Sequence, residues 1–98
     1  MAGAACGIVC GLAREARCIA PHPDLHVRVA GLARGSAESL ARALTRVRVR
    51  GLVSFGLEGA LHPAFAPGIL LLPSNIRAPD GRGFAADAGW RARIAARF

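Results

Sequence analysis

The stretch Ala5–Ile19, ACGIVCGLAREARCI, carries the pattern that decides the fold. Ala5–Cys10 is a short apolar run bounded by glycine, which is typical of a strand buried on both faces. After Gly11, Leu12–Ile19 spaces apolar residues as a helix does, with charged residues between them, before two prolines end the pattern. A buried strand followed at once by a helix predicts the start of a βαβ unit.

The next segments repeat this alternation of strand and helix. Asp24–Ala30 alternates apolar and polar residues, which predicts a half-exposed strand. Ser36 is a favoured N-cap residue, and it precedes an apolar stripe at helical spacing that continues to Val47. The valine–arginine alternation of residues 47–50 also fits a strand, which leaves the end of this helix open by a few residues. Leu52–Phe55 predicts another buried strand, followed by a glycine-bearing turn.

The remaining sequence predicts one more strand, a loop and a helix. Gly68–Leu72 is an apolar run closed by proline, Asn75–Gly83 has the composition of a surface loop, and Asp87–Phe98 returns to helical spacing with Trp90 as a packing residue. The fold class is therefore α/β, with a mostly parallel central sheet flanked by helices. Four strands with two or three helices leave part of such a sheet uncovered, so the domain is expected to be incomplete.

Composition excludes several classes of protein. The chain is 53% hydrophobic and 19% charged, which is too apolar for intrinsic disorder, and its 98 residues allow one domain at most. Its net charge of +7 comes entirely from scattered arginines, without the aromatic platforms of a nucleic-acid binder, so no nucleic-acid partner is predicted. No apolar segment approaches a membrane span and no signal peptide is recognisable, which predicts a cytoplasmic protein.

No metal site or other cofactor is predicted. Three cysteines match neither a zinc site nor a disulfide framework, so reduced thiols are expected. The histidines His22, His26 and His62 have no ligand spacing that would bring them together.

Glycine follows each of the first three predicted strands, at Gly11, Gly31 and Gly56. In open α/β sheets, ligands bind beyond the carboxyl ends of the strands, where these turns would meet. Glycine permits close approach of the backbone to a ligand, so the turns predict a small-molecule pocket. Tight turns without any ligand would explain each glycine individually as well.

Three segments, in order along the chain, carry a family resemblance: Gly7–Ala16, Ser54–Leu61 and Pro63–Leu72. Together they resemble the N-terminal part of the nucleoside phosphorylase and nucleosidase superfamily. The closest branch is the hopanoid-associated phosphorylase, a relative of methylthioadenosine/S-adenosylhomocysteine nucleosidase. The resemblance implies a three-layer fold of which residues 1–98 are the N-terminal portion of a single domain, with the C-terminal half lying outside this chain.

The resemblance also implies a reaction, cleavage of the N-glycosidic bond of an adenosyl-type purine nucleoside by water or phosphate, in the context of hopanoid biosynthesis. It implies a nucleoside as small-molecule partner, phosphate as an alternative co-substrate and a homo-oligomer. Glu15 would be the catalytic carboxylate, and this chain alone would be weak or inactive. The residues expected to line the substrate site are Gly11, Gly31, Ser54, Gly56, Leu57, Glu58 and Gly59.

Gly68–Ile69 stands where the family has Gly-Asp, and three residues of the segment Ser54–Leu61 also depart from the family pattern. These three disfavour phosphate. Leu57 stands where many relatives have a serine, Glu58 replaces a small residue, and Ser54 stands where some phosphorylases have a phosphate-binding arginine. A glutamate would repel phosphate by Coulomb interaction.

Two alternatives stay open at this point. Glu15 could be a solvated glutamate between arginines on a helix turn. The chain could also be a non-catalytic remnant that serves as an oligomerisation or partner-binding module.

Overall fold

Three parallel strands form the centre of the first part of the chain. The structure, a computed structural model, describes residues 5–98, which divide into one unit up to Gly59 and a second unit, Ala60–Phe98. Strand β1, Cys6–Cys10, lies between β2, Leu25–Val29, and β3, Gly51–Ser54. Both neighbours run parallel to β1, so the predicted α/β class and parallel sheet are confirmed for this unit.

The core of this unit lies on the two faces of β1. Cys10 is 1% exposed on one face, and Leu44, from helix α2 (Ser36–Arg46), is 3% exposed against the other. Gly7 lets this helix approach, because a Cβ atom there would lie 2.8 Å from Leu52 Cδ2 and 3.2 Å from Leu44 Cδ1. Close packing of α2 on β1 therefore depends on the missing side chain at residue 7.

Helix α1 is a single turn, Ala13–Ala16, and is shorter than the predicted Leu12–Ile19. Beyond this turn the backbone hydrogen bonds join residues three apart. Cys18 N–H donates to the Glu15 carbonyl, and Ile19 N–H donates to the Ala16 carbonyl. The helix ends before either proline, where the bonds shorten from four residues to three, and the chain then returns to the start of β2.

The predicted N-cap of α2 was wrong. Gly35 holds the cap position with φ +79°, and the Ser36 hydroxyl donates a hydrogen bond to the Ala33 carbonyl at 2.7 Å instead. The left-handed conformation at the cap suits glycine. At the other end, α2 stops at Arg46 and no strand forms over residues 47–50, so the strand alternative there was also wrong.

Strand β3 is present but not buried as predicted. Its side chain Leu52 is 41% exposed, and Phe55 beyond the strand end is exposed as well. The reason is topological, because β3 lies at the sheet edge and pairs only with β1. The apolar run therefore predicted the strand correctly but predicted its burial incorrectly.

The second unit contains a hairpin that the sequence did not predict. Strands β4, Asn75–Arg77, and β5, Gly83–Ala85, pair antiparallel where a loop was expected over Asn75–Gly83. Only the turn between them is irregular, closed by a bond from Ala78 N–H to the Arg82 carbonyl at 2.8 Å. Strands of three residues are too short for their alternation to be distinguished from loop sequence.

The predicted strand over Gly68–Leu72 was wrong, since no strand is assigned there. Prolines flank this segment and lack the N–H group that a strand ladder needs. Helix α3, Ala88–Ala95, follows the hairpin, and its N-cap Asp87 accepts a hydrogen bond from Trp90 N–H at 2.8 Å. Across residues 5–98, no helix has the length and apolar character needed to cross a membrane.

Candidate functional site

Glu15 is the one charged side chain that is buried among residues 5–98, with 7% of its surface exposed. It is the third residue of α1, directly beyond the carboxyl end of β1. The alternative of a solvated glutamate on an exposed helix turn is therefore wrong. A buried carboxylate needs hydrogen-bond partners to offset the loss of water.

Three backbone N–H groups supply those partners. Gly11 and Leu12 donate to Glu15 Oε1 at 3.0 and 2.9 Å, and Leu57 donates to Oε2 at 2.8 Å. Hydrogen bonds to an ionised acceptor are stronger than those between neutral groups. The Glu15 carboxylate thus joins the turn after β1 to the turn after β3.

The sheet places these two turns side by side. Strands β1 and β3 are parallel neighbours, so their carboxyl ends share one edge, and a bond from Phe55 N–H to the Val9 carbonyl at 3.0 Å extends the pairing to the turn itself. Glutamate at the third position of a helix commonly reaches back to the backbone N–H of the cap residue. Here the cap residue is Leu12, and the second oxygen extends on to Leu57.

Gly56 is required by the position of the carboxylate. A Cβ atom at residue 56 would lie 3.1 Å from Glu15 Cδ and 2.7 Å from its Oε2, and the second distance is shorter than Cβ contacts in proteins. At Gly11 the corresponding distance to Oε1 is 3.6 Å, an ordinary contact. The missing side chain at residue 56 therefore leaves the space that the Glu15 carboxylate itself occupies.

The surroundings hold the pKa of Glu15 below its ordinary value. The Leu57 N–H has the largest effect, followed by the Leu12 N–H, while burial acts in the opposite direction and the Gly11 N–H and Arg14 add to the lowering. The carboxylate is therefore ionised at neutral pH, and it is a weak base that accepts hydrogen bonds. A carboxylate has about four acceptor positions. Oε1 uses two and Oε2 uses one, which leaves one position on Oε2.

The structure brings only part of the predicted site together. Gly11, Gly56 and Leu57 adjoin Glu15, although Leu57 does so through its backbone, since its residue surface is 81% exposed. The other predicted lining residues are not in contact with Glu15: Gly31 and Gly59 have open space where a Cβ would be, and Ser54 and Glu58 are exposed. Leu12 was missed, because a backbone donor has no signal of its own in the sequence.

A groove lies at the opposite, amino-terminal edge of the sheet, lined by residues that include Cys6, Ile19, His22 and Leu25. Burial raises the pKa of the Cys6 thiol, which keeps it protonated, although Arg50 acts the other way. His22 Nδ1 already accepts a hydrogen bond from Asp24 N–H at 3.0 Å. The groove thus offers no activated nucleophile. No cluster of metal-ligating side chains occurs within residues 5–98.

Comparisons with known proteins identify no relative of this chain. No family model, no curated protein and no solved structure matches it. The function is therefore inferred from the geometry of Glu15 and its neighbours.

The fold should lose stability in acid through Glu15. A carboxyl whose pKa is lower in the folded than in the unfolded chain stabilises the fold fully above its ordinary pKa of about 4.3, and this contribution is lost as pH falls through the lower folded pKa. We expect the urea midpoint of the wild type to fall between pH 5 and about pH 3, and Glu15→Gln to lose much less over that range.

The matched control is Glu38→Gln. Glu38 is exposed and pairs with Arg42 at 2.8 Å on the surface of α2, where an ion pair contributes little. This variant should show the acid loss of the wild type. Equal acid loss in wild type and Glu15→Gln would show that Glu15 does not stabilise the fold in its ionised form.

Proposed function

We propose that the strand-end site binds an adenosyl-type purine nucleoside and that Glu15 orients the nucleophile that cleaves the N-glycosidic bond. The observation that carries this proposal is a buried, ionised carboxylate at the strand ends that keeps one acceptor position on Oε2 beyond its three backbone hydrogen bonds. The resemblance to nucleoside phosphorylases and nucleosidases supports the choice of substrate and suggests a role in hopanoid biosynthesis.

Glu15 can assist this reaction without taking a proton in the ground state. When the bond from the anomeric carbon to the base breaks, positive charge develops on the sugar, and a nearby carboxylate stabilises it. Oε2 would accept a hydrogen bond from the nucleophile. This bond would point a lone pair of the nucleophile toward the anomeric carbon. Its low basicity suits orientation better than early proton removal.

The departing purine also needs a proton donor. The resemblance assigns the residues that protonate the base and bind the sugar hydroxyls to the half of the domain outside this chain. We therefore expect adenine release by this chain to be slow, and nucleoside binding is the more direct test.

The test is a titration of the ¹⁵N-labelled chain with methylthioadenosine, followed by amide chemical shifts. We expect saturable shifts at Gly56 and Leu57, with smaller changes at Gly81 in the β4–β5 turn as an internal control. Adenine release is measured on the same sample. A chain whose Gly56 and Leu57 signals stay unchanged at saturating nucleoside would contradict the proposed function.

A second candidate function, a self-association or partner-binding module, is favoured by the second unit. None of residues 60–98 is buried, and Leu61, Ile76, Phe84 and Phe98 are all exposed. Apolar side chains exposed in this number are typical of a surface that another chain covers. Absence of nucleoside binding, in a sample that sediments faster than a monomer, would favour this function over the first.

A further inference from the structure

The second unit exposes a continuous apolar loop, residues 68–72, between two prolines. Ile69, Leu70 and Leu71 are 52%, 51% and 44% exposed, and none of them belongs to a helix or strand. Three consecutive apolar side chains in contact with water are unfavourable, and such a surface is typical of one that a partner or a membrane covers. The loop therefore calls for an occupant whose surface is apolar.

Hydrogen bonds within the unit attach an arginine-bearing helix to the end of this loop. Arg91 Nε, on α3, donates to the Leu72 carbonyl at 2.6 Å. Ala86 N–H, which follows β5, donates to the Ser74 carbonyl at 2.9 Å. Arg97 lies six residues beyond Arg91, about 9 Å along a helix axis. The exposed apolar side chains and the arginines of α3 thus belong to one region of the unit.

The charge of this unit is positive and is only partly neutralised from within. Residues 60–98 contain five arginines and two aspartates. Asp80 pairs with Arg82 at 2.7 Å, and Asp87 accepts the N-cap hydrogen bond from Trp90 N–H. Four exposed arginines take part in no ion pair within residues 5–98: Arg77, Arg91, Arg93 and Arg97. The occupant of the apolar loop must therefore tolerate, or supply, negative charge.

From this combination we infer that the second unit docks on an anionic lipid bilayer. Ile69, Leu70 and Leu71 enter the boundary between headgroups and acyl chains, and the arginines lie among the lipid phosphates. Apolar insertion and attraction of basic side chains to anionic lipids act together in interfacial binding. A bilayer also accepts protruding side chains without a shaped counterpart. The inference goes beyond nucleoside cleavage and does not depend on it.

A second copy of this chain fits the same surface less well. Each chain carries a net charge of +7, so two copies repel each other on approach. The two carboxylates that a copy could offer from this unit already have partners, Asp80 in an ion pair and Asp87 at a helix cap. An anionic bilayer supplies the negative charge and the apolar phase together, which favours it over self-association.

The test is binding of the full chain to lipid vesicles, followed by co-sedimentation and by the fluorescence of Trp90, the single tryptophan. Trp90 is half-buried and precedes Arg91, which contacts the end of the loop, so its emission should shift to the blue on docking. We expect both signals with vesicles of equal parts phosphatidylserine and phosphatidylcholine, and neither with phosphatidylcholine alone. Binding to neither vesicle, or equally to both, would overturn the inference.

Two exposed substitutions separate the apolar from the electrostatic contribution. Leu70→Ser should weaken binding to the anionic vesicles at least about tenfold, because several buried CH₂ groups are lost. Arg97→Gln should weaken it about fivefold, the usual effect of one basic side chain at an anionic surface. The matched controls, Leu32→Ser and Arg46→Gln, alter exposed residues of the first unit and should bind as the wild type does.

Two further outcomes would contradict docking on a bilayer. Vesicle binding that Leu70→Ser leaves unchanged would show that charge alone holds the chain there. A chain that binds no vesicle, sediments faster than a monomer and becomes monomeric in Leu70→Ser would assign the loop to self-association. Failure to bind methylthioadenosine would overturn the proposed function and leave this inference standing.

Discussion

Replacement of Glu15 by glutamine is expected to lower the rate of adenine release from methylthioadenosine roughly 10²-fold, the size of the loss that a misplacement of about 1 Å at the reacting groups causes. The glutamine amide has one acceptor oxygen and one donor nitrogen in place of two acceptors. Its nitrogen would face either the Leu57 N–H or the N–H groups of Gly11 and Leu12. Two donors facing each other repel, so one turn must move away.

The measurement combines adenine release with the amide proton shift of Leu57. A hydrogen bond to a carboxylate moves an amide proton downfield, and Glu15→Gln should remove that displacement. Glu38→Gln, which alters an exposed carboxylate, should change neither quantity. A Glu15→Gln protein that releases adenine at the wild-type rate would show that Glu15 has no part in the reaction.

The spacing of apolar residues predicted β1 and α2 correctly, because the burial of these two elements matches their sequence pattern. Strand β1 is paired with a neighbouring strand on each side and has a continuous apolar sequence, and α2 carries an apolar stripe that includes the buried Leu44. Strand β3 has a similar run, yet Leu52 is exposed, because an edge position is decided by strand order. Sequence spacing contains no direct information on strand order.

The candidate site was predictable where it depends on side chains or on their absence. Glu15 is an isolated acid after a strand, and Gly11 and Gly56 follow strand ends that a parallel sheet brings together. The donors were not predictable, because every residue except proline has a backbone N–H, and only the fold decides which of them face a carboxylate. Leu57 was expected to line the substrate site, and the group that it contributes beside Glu15 is its backbone N–H.

A methyl group at residue 56 tests the arrangement of the whole site. In Gly56→Ala the new Cβ would lie 2.7 Å from Glu15 Oε2, so either the carboxylate or the turn must shift. The carboxylate cannot move freely, because three N–H groups hold it. We expect a loss of about 1–3 kcal/mol in the free energy of unfolding, the usual range for an overpacked site, measured by urea denaturation.

Gly59→Ala is the matched control in the same segment. Gly59 has open space around the position of a Cβ atom, and its φ is not in the left-handed region, so the same substitution should leave stability within about 0.5 kcal/mol of wild type. Methylthioadenosine binding should weaken in Gly56→Ala and persist in Gly59→Ala, since only the first methyl group displaces the Glu15 carboxylate from its position. Equal effects of the two substitutions would mean that the missing side chain at Gly56 is not what makes room for the Glu15 carboxylate. If Gly56→Ala is destabilised but binds nucleoside normally, the contact with Glu15 stabilises the fold, and the ligand lies elsewhere.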